Sequence, residues 1–118
     1  MCGIFGYIGH RNASSLLVKG LLRLEYRGYD SSGIVVKNGQ LQSYKDIGKI
    51  SDMASSLPNF KGSMGIAHTR WATHGGVTKE NAHPHLSNDG KVAIVHNGIL
   101  QNSDLLRKRL TKLGIELN

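Results

Sequence analysis

A cysteine stands second in the chain, and its position matters more than its type. Loss of Met1, which a small following side chain favours, would leave Cys2 with a thiol and a free α-amine on one residue. An α-amine titrates near about 7.7–8.0 and a free thiol near about 8.5, so at neutral pH part of the amine is available to take the thiol proton. A direct hydrogen bond between groups on the same residue is strained, which favours a bridging water. Attack on an amide also needs donors for the developing oxyanion. His96-Asn97-Gly98 offers the Asn97 carboxamide and the Gly98 N–H, with glycine allowing close approach of the main chain. The plain alternative for Asn97-Gly98 is a β-turn. In the run AHTRWATHG, Arg70 is a fork for a substrate carboxylate, Trp71 a bulky cover, and Thr73 and His74 further donors. The plain alternative there is an edge strand with one surface arginine.

These groups need rigid elements beneath them. The alternation in CGIFGYI predicts a strand over 2–8, with Cys2, Ile4, Gly6 and Ile8 on one side and Gly3, Phe5 and Tyr7 on the other. Asn12 can cap a helix from Ala13 to about Tyr26, whose Leu17, Leu21 and Leu24, with Leu16 beside them, should lie on a sheet. The turn-rich RGYDSSG precedes an extended Ile34-Val35-Val36, and Asn38-Gly39 predicts a type I′ hairpin with both residues at positive φ. A short helix over 50–57 and a strand over 65–71 follow. From Thr73 to Asn88 the pattern predicts an exposed loop, then a buried-type strand over 92–95, a helix capped by Asn102 or Ser103 and stopped by Gly114, and the beginning of a strand at 115–118. Nucleophile, donor turn and carboxylate clamp all fall at strand ends, where loops on a rigid sheet carry function.

The 118 residues suit a single domain, and 39% hydrophobic with 19% charged residues suits a globular one rather than a membrane span or a disordered segment. The N-terminus lacks a signal pattern, and one cysteine permits no internal disulfide, which suits a cytoplasmic location. Glycine is over-represented at 15 residues, so loops of unusual backbone geometry are expected. The net charge of +7 admits a nucleic-acid partner, but the bases of the charge are scattered. Its one cluster, Arg107, Lys108, Arg109 and Lys112, reads as the solvated face of a helix.

Together these segments resemble a known family. MCGIFGYIG at the start, LLRLEYRGYDSSGI at 21–34, GIAHTRWATHG at 65–75, NAHPH at 81–85 and IVHNGILQN at 94–102 are similar to the class II glutamine amidotransferases, whose glutaminase domains are N-terminal-nucleophile hydrolases. The resemblance extends from Met1 to about Gly114. It is strongest for the branch that sends ammonia to sugar-phosphate isomerase domains, where fructose 6-phosphate becomes glucosamine 6-phosphate. It implies an α+β fold, the αββα sandwich of N-terminal-nucleophile hydrolases, here incomplete, with residues 1–118 as the N-terminal portion of the glutaminase domain. It implies Cys2 as nucleophile with its own amine as base, Asn97 and Gly98 as oxyanion hole, Arg70 on the glutamine α-carboxylate and Trp71 on a closing loop. Thr73 and His74 fall in the substrate-binding segment, and Arg27 in the segment near the nucleophile. L-glutamine is the implied substrate, with no cofactor, no metal, no nucleic-acid or membrane partner, and a homo-oligomeric parent enzyme.

The family also holds the glutamine α-amine with an acidic residue in a Ser-x-Thr-Asp-Thr-Glu-like segment, which this sequence lacks, as it lacks the isomerase domains. The expectation is a chain cut short or split, unstable or inactive alone. Two rivals are weaker. A metal hydrolase would draw on six histidines, among them His68, His74, His83, His85 and His96, but no His-Glu-x-x-His pattern or paired ligand set is present, and His83 and His85 read as loop residues in contact with solvent or loop hydrogen bonds. An RNA-binding module has the charge but no stacking signature.

Overall fold

The structure is a computed structural model describing residues 2–72 and 75–117, with Arg27 described in its backbone alone. Elements run β1 (Gly3–Ile8), α1 (Ala13–Leu24), β2 (Ser31–Asn38), β3 (Gln40–Ile47), α2 (Ile50–Ser56), β4 (Met64–Arg70), β5 (His85–Leu86), β6 (Ala93–Ile94) and α3 (Ser103–Lys112). The first four strands form one antiparallel sheet in the order β1-β4-β2-β3, and β5 pairs with β6 in a two-stranded ribbon.

Strand alternation gives the sheet two different faces. Register sets Phe5 beside Ala67 and Ala67 beside Ile34, and on this face α1 and α2 close the core. Leu17 and Leu21, one turn apart, meet Ile34, Val36, Ile50, Met53 and Ala67, all essentially buried. Each buried leucine or isoleucine contributes roughly 1.5–3 kcal/mol from apolar burial. Gly20 lets the helix sit directly on the Phe5 ring, where a Cβ would collide. The opposite face carries Ile66, His68 and Arg70 of β4 in register with Val35, Gly33 and Ser31 of β2.

Several local expectations change. The first helix ends at Leu24 and tightens into a 3-10 turn over Glu25–Arg27, closed by Gly28 at φ +88°. Asn12 occupies the N-cap position, but its Oδ1 accepts from the Gly62 N–H (3.2 Å) instead of capping the helix. The hairpin forms at Asn38-Gly39, yet only Gly39 has positive φ (+73°), so the turn is not type I′. Asn102 precedes α3 without a side-chain cap, whereas Gly114 (φ +76°) does stop it. The Ile115 N–H reaches Leu110 O and the Gly114 N–H reaches Thr111 O, a Schellman termination. The basic side chains of α3 are solvated as expected.

The expected buried strand over 92–95 shrinks to Ala93–Ile94, and Val92 and Ile94 are more than half exposed because only β5 flanks them among the described residues. Residues 115–117 form no strand. Conversely, part of the loop expected to be exposed is packed down: Ala82 and Pro84 are buried, and Lys45 Nζ donates to the Ala82 carbonyl at 2.8 Å. Gly33 makes that approach feasible, since a Cβ there would strike the His83 carbonyl oxygen.

Candidate active site

Pairing of Gly3 with Thr69 places Cys2 against the end of β4. The Gly3 N–H donates to Thr69 Oγ1 at 3.1 Å, and the Trp71 N–H donates to Cys2 Sγ at 3.4 Å. The thiol in turn lies 3.7 Å from the Trp71 carbonyl oxygen. The sulfur is thereby fixed at an open strand end and is half-buried.

The Arg70–Ala72 segment is latched from the other side by Asp30. The Asp30 N–H donates to Arg70 O at 2.7 Å, its Oδ1 accepts from Ser31 Oγ at 3.0 Å, and its Oδ2 accepts from the Ala72 N–H. Gly28 lies under the Trp71 indole, where a Cβ would come within 3.2 Å of the ring. Its positive φ adds a second reason for glycine. Trp71 itself is half exposed over this cradle. Arg70 is nearly buried, and its Nη1 donates to the Gly76 carbonyl at 2.9 Å, which ties the arginine to the loop beyond.

A histidine cluster stands on the same sheet face as Arg70. His68 is completely buried. Its ring stacks on His83 with centroids 4.3 Å apart, and His83 contacts His85 at the same separation. Burial is the first cause lowering the pKa of all three. His83 is pushed down to about 3 by burial and then by His68, His85, Arg70 and His96. The expectation of solvent contact or loop hydrogen bonding at His83 is thus replaced by ring stacking. His68 Nε2 lies 2.7 Å from Asn97 Oδ1, and Asn97 Nδ2 donates to the Cys2 carbonyl at 3.3 Å. The chain returns to its own second residue across 95 positions.

Cys2, Arg70, Trp71 and Asn97 are therefore brought together, with Gly98 next to Asn97 at φ +138° and exposed. Thr73 and His74 lie outside the described residues, as does the side chain of Arg27. Asp30 and Lys45 were not anticipated, and His68 was anticipated only as a metal candidate. One available signal was the two-residue spacing of His68 and Arg70, which puts both on one strand face. Among the described residues no group of three or more His, Cys, Asp or Glu is arranged to hold a metal ion. A hollow of about 800 Å³ between the β2–β3 hairpin and residues 89–93 is lined by none of the candidate site residues. No described helix is long and apolar enough to cross a membrane.

The fold defines a class. The chain superposes on Bacillus subtilis glutamine phosphoribosylpyrophosphate amidotransferase complexed with ADP and GMP (TM-score 0.80, 32% identity). It also superposes on a structure described as the allosteric regulatory enzyme of purine biosynthesis (TM-score 0.82, 34% identity); in both, all of this chain covers 26% of the other. The described residues are part of the N-terminal-nucleophile amidotransferase fold, a mixed α/β arrangement around an antiparallel sheet.

Within that class, the chain is related to the isomerizing glutamine--fructose-6-phosphate aminotransferases. It is 52% identical over 118 residues to the Pseudomonas putida protein and 53% over 114 residues to that of Listeria monocytogenes. Identity to the Thermus thermophilus protein is 50% over 117 residues. These alignments take in 95–97% of this chain and 19% of each relative, so the chain spans about a fifth of the length of the relatives it matches. No family model matches it.

Proposed function

We propose that these residues carry the nucleophile and oxyanion half of a glutaminase site, working within a polypeptide of the relatives' length. The single observation that carries this reading is convergence on residue 2: the Trp71 N–H on its sulfur and the Asn97 carboxamide on its carbonyl oxygen.

In this reading the Cys2 amine takes the thiol proton and the sulfur attacks the side-chain amide carbon of L-glutamine. Asn97 Nδ2 and the Gly98 N–H receive the oxyanion, the carboxamide shifting from the Cys2 carbonyl to the substrate oxygen on which charge develops once the sulfur has attacked. Collapse of the tetrahedral species expels ammonia, which leaves with the proton held by the amine. A γ-glutamyl thioester remains, and water cleaves it to glutamate. Arg70, whose Nη1 donates to the Gly76 carbonyl, takes the α-carboxylate through its planar guanidinium. Trp71 covers the substrate, and Thr73, His74 and Arg27 complete its surroundings. No step calls for a cofactor.

Ammonia would pass to isomerase domains acting on fructose 6-phosphate. The exposed Val92, Ile94, Ile99, Leu105 and Leu113 favour a second, compatible reading in which residues 1–118 alone are inactive. In the full-length protein, Cys2→Ala should abolish ammonia release from glutamine while leaving use of free ammonia intact. Normal glutamine turnover by that variant would defeat the proposal.

A further inference from the structure

The hydrogen bonds of Asn97 are arranged so that the carboxamide can take only one orientation. The Cys2 carbonyl oxygen is an acceptor with no proton to give, so the Asn97 atom 3.3 Å from it must be the NH2 group. Oδ1 then faces His68 Nε2 at 2.7 Å, and this contact is a hydrogen bond only if Nε2 carries the proton. The reverse amide orientation would set two oxygens against each other at Cys2 and would require the proton on Nδ1 instead. Ring tautomer and amide orientation are therefore one choice. The His68 ring cannot readily turn to make the other, since it is completely buried and stacked on His83. Burial also pushes its pKa down, the adjacent His85 and Arg70 adding to the effect while hydrogen bonds to Asn97 and the His96 backbone oppose it.

We infer that His68 is a positioning residue for amide hydrolysis, its Nε2–H locking the Asn97 carboxamide with Nδ2 aimed at residue 2. The inference rests on the glutaminase reading above, and it assigns to a residue that touches no reacting atom the job of orienting an oxyanion donor. Its importance follows from how little else holds that turn: residues 96–100 are exposed, and β6 before them is two residues long.

A pair of isosteric substitutions in the full-length protein separates orientation from bulk. A glutamine amide nitrogen falls near the place of histidine Nε2, and an asparagine nitrogen near that of Nδ1. His68→Asn should lower kcat for glutamine hydrolysis about 10- to 100-fold, with KM for glutamine changed by less than about threefold, as expected for a misaimed oxyanion donor. His68→Gln should recover most of that loss. In an Asn97→Ala background, His68→Asn should cost nothing further. Equal kcat in the Gln and Asn variants, full additivity with Asn97→Ala, or a loss confined to KM would overturn the inference. A readout without substitution covers failure of the variants to fold: nitrogen-15 NMR of the unaltered protein should find His68 protonated at Nε2, and a proton on Nδ1 alone would overturn it. Cys2→Ala distinguishes the two levels, since an active Cys2→Ala enzyme sinks the glutaminase reading itself.

Discussion

The sheet with its two helices, residues 3–70, and the segment from 86 to 117 are held by different forces. In the first, Leu17, Leu21, Ile34, Val36 and Met53 interlock and the strands pair over six to eight residues. In the second, α3 buries none of its residues, Leu105 and Leu113 lie open, and the ribbon pairs two residues with two. The candidate site straddles the boundary. Cys2, Arg70 and Trp71 are set by the packed sheet and the Asp30 latch, whereas Asn97 and Gly98 belong to the open segment. What the contrast teaches is that the nucleophile is placed by packing and the oxyanion turn by a few directed polar contacts, His68 to Asn97 and Asn97 to Cys2. Such a turn can be lost without unfolding the sheet.

The contrast can be broken by substitution on its two sides. Leu17→Ala removes a fully buried side chain between helix and sheet, and denaturant unfolding should show a loss of about 2–5 kcal/mol. A loss under about 1 kcal/mol would mean that the helix layer is not the core described here. The histidine stack between His68 of the sheet and the 83–85 segment that follows sharpens it next. Free histidine takes a proton below about 6.5, but folded His83 refuses one until about 3. Below about 6.5 the unfolded chain therefore binds more protons, so this stabilisation is complete above that pH and is lost as pH falls toward 3. Melting temperature should drop on acidification across that window, and His83→Asn should flatten the slope. A flat profile in the unaltered protein would show that the stack does not exclude protons. The smallest effect is expected at Leu105→Ala in the isolated chain, within about 0.5 kcal/mol, since that side chain is 59% exposed. A cost comparable to Leu17→Ala would erase the distinction between the regions.

Much of the candidate site was legible because its residues are unusual in type and place: a cysteine beside the initiator, an Asn-Gly after a hydrophobic run, an arginine at a strand end. The core helix was legible from Leu17 and Leu21 at a spacing of four. Asp30 was not, because an aspartate in a Gly-Tyr-Asp-Ser run looks like turn chemistry until its partners at Arg70 and Ala72, some forty residues away, are known. His68 was passed over for a related reason: the surroundings of a buried histidine on a strand are not legible from its neighbours in sequence, and here they are Asn97 and His83. Val92–Val95 misled in the other direction, since β-branched composition signals a strand that fits a buried surface but says nothing about whether a neighbour covers it. The Asn38-Gly39 pair fixed the location of a hairpin while its backbone angles followed from the register of β2 with β3.

The central claim is that Cys2, freed at its amine, is acylated by glutamine. Rapid quenching of the full-length protein during glutamine turnover, followed by mass analysis of the N-terminal peptide, addresses it directly. The account predicts a peptide beginning at Cys2 and carrying a glutamyl group labile to thiols and base; a steadily turning-over enzyme whose N-terminal peptide retains Met1 or never acquires that group would contradict it.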